Sequence, residues 1–160
     1  METCSVAIKR VMACLDLSAY AEATFAHALT LAKGLGAELV LLNVVNSRGL
    51  DALDQLAAEG FAVSRDKYID TVVADRRAEF EQQYIPLAQG APTTLLFRVG
   101  LPYDEIIKAC REEGVDLLVM GTKGRTNLVG SLFGSTAEKV FRRAPCTVVS
   151  VRGPEHCALT

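Results

Sequence analysis

This sequence predicts an α/β fold, an open and largely parallel sheet covered by helices on both faces. Short strand-like runs recur along it, LVLLNVV at 39–45, TTLLFRV at 93–99 and CTVVSV at 146–151, and the first is as apolar and rich in β-branched residues as a strand buried on both faces should be. Segments with apolar residues at helical spacing alternate with those runs, and glycine or proline punctuates the joins. Regular alternation of this kind implies right-handed crossovers between parallel strands.

The first strand candidate is Val6–Leu15, VAIKRVMACL, in which the apolar alternation is only partial. Ala21, Phe25, Ala28, Leu29 and Ala32 then share a helical face, with Ser18 placed to cap the helix and Gly34 to stop it. The run 39–45 is the second strand. Residues 46–65 hold Gly49, Gly60 and little periodicity, which predicts a connecting loop with a helical turn around Asp51–Ala58. From Asp66 to about Leu87, the residues Ile69, Val72, Val73, Phe80, Tyr84 and Leu87 repeat at helical spacing, and Pro86 and Pro92 bracket the end. Thr93–Val99 is the third strand. Pro102 suits a first helical turn, and Ile106, Ile107 and Cys110 form an apolar face that stops at Gly114. Val115–Met120 is the fourth strand. Ala137, Val140, Phe141 and Ala144 mark a last helix ended by Pro145, and 146–151 is the fifth strand.

A chain of 160 residues can build one core without disulfides or metal, and no repeat, linker or low-complexity tract divides it. Residues 1–160 are therefore read as a single domain with a tail at 153–160. The formal charge of −2 gives no bulk electrostatic case for nucleic acid or an anionic membrane as a partner. The apolar runs end too early to span a bilayer, and Lys9 and Arg10 interrupt the N-terminal segment, so a cytoplasmic chain is expected. The cysteines at 4, 14, 110, 146 and 157 show neither a CxxC pair nor zinc-like spacing. Cys14, Cys110 and Cys146 are read as small buried hydrophobes, and Cys4 and Cys157 carry no assigned role. His27 and His156 have no partner at metal-ligand spacing, and Asp104 and Glu105 are weak candidates for Mg²⁺.

Sheets of this class collect ligands at the carboxyl ends of their strands, where Asp16, Val44, Gly100 and Gly121 fall. The stretch GTKGRTNLVGSLFGS, 121–135, follows one such end and matches neither GxxxxGK[ST] nor GxGxxG. Its ingredients still suit a phosphate. Gly121 and Gly124 permit close backbone approach, the last helix opens its N–H groups just after Gly134, and Ser131 and Ser135 add hydroxyls. Lys123 and Arg125 place positive charge at the mouth. The same glycines equally serve a plain turn, and Asp16 with Ser18 equally serves as a cap for the first helix.

The spacing Gly121, two residues, Gly124, nine residues, Gly134, Ser135 resembles the motif of the nucleotide-binding branch of the universal stress protein family. The likeness extends to Asp16 with Ser18 after the first strand, Val44 near the end of LLNVV, VGLPYDEIIKAC from Val99, and VDLLVMGTKG leading into the glycines. The resemblance implies a five-stranded sheet of order 3-2-1-4-5, a homodimer, and bound ATP, with ADP or AMP as alternatives and Mg²⁺ as a companion. It implies adenosine contacts at Asp16 and Val44, with Met120 bounding the adenine side. Gly121 and Gly124 would shape the loop around ribose and phosphates, and Gly130, Ser131, Gly134 and Ser135 would hold phosphates. Lys123 stands where many relatives carry histidine or arginine.

The function expected is that of an ATP-binding regulatory protein of the stress response, whose nucleotide occupancy modulates conformation or partner binding. No catalytic residue is assigned, because no nucleophile elbow or cysteine–histidine arrangement is visible. A slow Mg²⁺-dependent ATPase or phosphotransferase, and a nucleotide-independent chaperone-like dimer, are the alternatives. The apolar last strand, 146–151, is the expected dimer edge.

Overall fold

The computed structural model describes residues 7–124 and 133–153. Five strands, β1 (Arg10–Cys14), β2 (Glu38–Asn46), β3 (Thr93–Gly100), β4 (Leu117–Gly121) and β5 (Thr147–Val151), form one sheet of order β3-β2-β1-β4-β5. Every pairing is parallel. The helices are α1 (Ala21–Leu35), α2 (Asp51–Ala58), α3 (Arg65–Gln83), α4 (Pro102–Glu112) and α5 (Ser135–Arg143). Sheet and helices thus follow the α/β class and strand order expected.

The pleat sorts the apolar runs onto two faces, because successive side chains of a strand point opposite ways. Val11 and Ala13 of β1, Leu39 and Leu41 of β2, and Leu117 and Val119 of β4 pack with Phe25 of α1 and Phe80 of α3. Their neighbours Met12, Val40, Leu42, Leu118 and Met120 pack on the other side with Ile106 and Cys110 of α4 and Val140 of α5. An uninterrupted apolar run is what a strand needs when both faces are covered. On the first face Phe80 is fully buried and meets Tyr84 and Phe97 edge-on, at ring separations of 5.1 and 5.4 Å.

Several boundaries differ from the sequence reading. Helix α1 starts after Tyr20, and Ser18 acts one step earlier, its Oγ accepting the Tyr20 N–H at 3.2 Å. It stops at Gly36 rather than Gly34, since Gly36 takes the left-handed φ of 64° and donates its N–H to the carbonyls of Ala32 and Lys33. The turn expected around Asp51–Ala58 is a complete helix, with Asp51 and Asp54 in its first turn, and it buries no residue. Ser64 caps α3 by accepting the Lys67 N–H. Helix α3 ends at Gln83, short of Leu87. Pro86 opens a separate 3₁₀ turn, and Leu87 is 60% exposed. No helix among the described residues is long and apolar enough to cross a membrane.

Candidate functional site

The carboxyl ends of β1, β2 and β4 open into a cleft of about 220 Å³. Its walls bring together Asp16, Val44, Met120, Gly121, Gly124, Gly134 and Ser135, residues separated by more than a hundred positions in the chain. Gly130 and Ser131 lie outside the described residues. Gly100 is not among the cleft residues; it ends β3, and a Cβ on it would meet the Glu105 side chain at 2.6 Å.

Asp16 lies two residues past the end of β1. Its Oδ1 accepts the backbone N–H of Ser18 at 3.1 Å, closing a small turn that feeds α1. Leu17 inside that turn takes a φ of 59°, a left-handed conformation that a non-glycine residue adopts at a cost of about 1–2 kcal/mol. The other carboxylate oxygen lies against Gly124, where an added Cβ would fall on Asp16 Oδ2 and come within 3.5 Å of its Cγ. Gly121 is similarly confined, with Lys123 O at 2.9 Å and Tyr20 Cβ at 3.1 Å from its would-be Cβ. Gly134 is not: the nearest atoms are 3.6 Å away, an ordinary contact.

The far wall is the start of α5. Gly134 precedes the helix in an extended conformation, and its N–H donates to the Thr122 carbonyl at 2.8 Å, which ties the helix entrance to the end of β4. Ser135, Thr136 and Ala137 line the cleft. The first N–H groups of a helix have no intrahelical acceptor and carry the positive end of its dipole. Lys123 adds a cation at the same side. Cys14 also lines the cleft, and burial, then the Asp16 carboxylate, push its thiol well above the ordinary range. The thiol is therefore held in its neutral form. Cys110 and Cys146 pack in the core face of α4 and α5.

Outside the cleft, Asp104 and Glu105 both pair with Lys108, at 3.2 and 3.0 Å. Among the described residues no group of three histidine, cysteine, aspartate or glutamate side chains is placed to hold a metal ion. Tyr20 just before α1, Thr24 of α1, Asn46 and Arg76 line the cleft without having been singled out in the sequence. The only local signal was Asn43, a polar residue inside LVLLNVV that is 1% exposed and accepts from Arg76.

With this geometry in place, comparison with known proteins decides the family. The sequence model of the universal stress protein family matches residues 7–152. The chain belongs to the universal stress protein family. It is 30% identical over 131 residues to the universal stress protein MJ0531 of Methanocaldococcus jannaschii, covering 81% of this chain and 73% of that one. It is 27% identical to a second universal stress protein of the same organism, MJ0577, over 92% of this chain and 97% of the relative. The solved structure of MJ0577 superposes with a TM-score of 0.77. A universal stress protein solved in complex with cAMP shares the fold at a TM-score of 0.59 and 23% identity, over 92% of this chain and 98% of that chain.

Proposed function

We propose that this universal stress protein binds ATP in the cleft and that occupancy by nucleotide alters its conformation or its partners. The observation that carries the reading is the convergence of Asp16, Gly124 and the start of α5 on one cleft. Phosphates fit over the N–H groups of Ser135–Ala137, with Lys123 beside them. The acceptor-only carboxylate of Asp16 suits a ribose hydroxyl, and Val44 and Met120 supply apolar surface for a flat base. In the cAMP complex the same fold carries an adenine nucleotide, which concerns that protein and is compatible with this placement.

A route from occupancy to surface is also present. The Gly134 N–H donates to Thr122 O, and the Thr122 N–H donates to Val151 O at 2.8 Å in β5. A phosphate that pulls on the α5 entrance therefore pulls on an edge strand of the sheet, and that edge is the surface through which a homodimer would form. Asp16 is the single carboxylate among the described cleft residues, so Mg²⁺ would enter on the phosphates rather than in a protein cage. This favours binding over rapid turnover.

The test is to denature freshly purified protein, identify any released nucleotide by mass spectrometry, and titrate the emptied protein calorimetrically with ATP, ADP and AMP, with and without Mg²⁺. Saturable binding of one adenine nucleotide per chain is expected. A protein that carries none and binds none would overturn the reading.

A further inference from the structure

The cation best placed at the nucleoside end of the cleft comes from α3, which contributes no residue to the glycine motif. Arg76 lines the cleft, and its Nη1 donates to Asn43 Oδ1 at 2.6 Å and to the Val44 carbonyl at 3.3 Å. Asn43 is fixed from the other side, since its Nδ2 donates to Leu15 O at 2.6 Å, one residue before Asp16. A buried amide thus runs from the β1 turn to the guanidinium and sets where that guanidinium points. Arg76 and Asn46 also line an adjoining cavity of about 270 Å³ under α2, so the arginine stands as the partition between the two spaces.

Position separates this cation from the phosphates. Val44 and Arg76 belong to the β2 side, whereas Gly121, Gly124 and the α5 entrance belong to the β4 side, with β1 between them. Neighbouring strands are about 4.8 Å apart, so the two sides are about 10 Å apart. An arginine carries donors only, in a planar fork, and what it recognises is an acceptor. At the Val44 side the acceptors that an adenine base offers are its ring nitrogens, since its exocyclic group is an amine.

Resting on the nucleotide-binding reading above, we propose that Arg76 is a specificity-determining contact to the base, and that Asn43 is the positioning residue that aims it. The ligand class is a purine nucleotide whose base presents an acceptor toward α3. Binding at this end is then separable from binding of the phosphate chain.

The experiment titrates wild type, Arg76→Met and Arg76→Lys with ATP, adenosine and inorganic tripolyphosphate, with thermal melts to verify folding. Arg76→Met keeps much of the stem and removes the donors. It should weaken ATP and adenosine by about ten-fold and leave tripolyphosphate unchanged; the ten-fold is what one hydrogen bond to a charged donor supplies. Arg76→Lys keeps the charge without the fork and should fall between the two. Asn43→Ser should weaken adenosine, with little further effect when added to Arg76→Met, because it acts through the arginine. Unchanged ATP affinity in Arg76→Met overturns the inference and leaves nucleotide binding standing. Loss of tripolyphosphate affinity overturns it too, by making Arg76 a phosphate contact. Wild type that ignores all three ligands overturns the nucleotide reading itself, and the inference with it.

Discussion

Replacing Gly124 by alanine adds one methyl group to the most confined glycine of the cleft. Gly124 is not among the residues with positive φ, so the substitution adds no backbone strain and its effect is steric and electrostatic. The new Cβ would fall on Asp16 Oδ2 and lie 3.5 Å from Cγ, which forces the carboxylate to turn. Turning it withdraws Oδ1 from the Ser18 N–H, now 3.1 Å away. Loss of a hydrogen bond to a charged acceptor costs about 1.5–3 kcal/mol, and because this turn is only part-buried the lower end applies. For a domain of this size about 1.5 kcal/mol lowers Tm by roughly 3–6 °C. On the proposed placement, in which that carboxylate meets the ribose, displacing it should weaken ATP by about ten-fold.

Two comparisons isolate that mechanism. Gly134→Ala places its Cβ at 3.6 Å from its nearest neighbours and should leave both Tm and folding close to wild type. Asp16→Ala removes the atom that the methyl group meets, so Gly124→Ala introduced into Asp16→Ala should cost almost nothing further. The coupling in that double-mutant cycle is expected at about 1.5 kcal/mol, read from urea unfolding and from calorimetric titration with ATP. Equal effects of Gly124→Ala in the two backgrounds would refute the contact as the cause. A Gly124→Ala protein with wild-type Tm and wild-type ATP affinity would refute the site.

Other consequences are as specific. At Leu17, with φ of 59°, the β-branched Leu17→Val should lose at least about 1 kcal/mol in urea unfolding, while Leu17→Gly should stay within about 1 kcal/mol of wild type as relief of strain offsets lost packing. Valine tolerated as well as leucine would contradict the backbone assignment. The Glu38 carboxyl is held below the ordinary range by its bond to Arg10, 2.7 Å from Arg10 Nη2, and then by Arg10's charge and the Thr94 hydroxyl. Its folded pKa is depressed, so its stabilising contribution is present above the unfolded value of about 4.3 and is lost as pH falls through the folded pKa. The Tm difference between wild type and Glu38→Gln should accordingly be visible at pH 7 and vanish in acid; a difference that persists at pH 2 would rule out the ionic origin. At the β5 edge, Val151 turns its carbonyl toward β4, so the alternation of a parallel ladder turns Ser150's backbone N–H outward. Ser150→Pro removes only an outward donor and should keep the fold while converting a dimer to a monomer in light scattering; an unchanged dimer mass would move the interface elsewhere.

How far the chain could be read before its structure was known follows from the range of the forces involved. The run at 39–45 announced a strand because burial on both faces leaves little room for polar residues, and the pleat then assigned each neighbour to α1 and α3 or to α4 and α5. Helix ends were less legible. Gly34 and Gly36 are chemically the same residue, and only the closure of the last turn on Ala32 and Lys33 chooses between them. Arg76 was illegible for a related reason: it lies in a helix with many charged residues, and its partners Asn43 and Val44 are more than thirty positions away. Asn43 carried a signal, a polar group among seven mostly apolar residues, but not the identity of its partner.

The glycine spacing shows the same division in its sharpest form. Two readings of Asp16 competed in the sequence, a cap for the first helix and a contact in the cleft, and both were argued from the same position. The structure separates them by oxygen atom: Oδ1 closes the turn into α1, and Oδ2 lies against Gly124. Asp16 is thus not a cap of α1, whose first turn receives no side-chain cap; its bond to Ser18 closes the turn before the helix and orients the carboxylate toward the cleft. It also supplies a reason for the second glycine of the motif, which the spacing alone did not contain. Gly124 is confined by a carboxylate more than a hundred residues upstream, and a motif read along the chain cannot show a neighbour that only the fold provides.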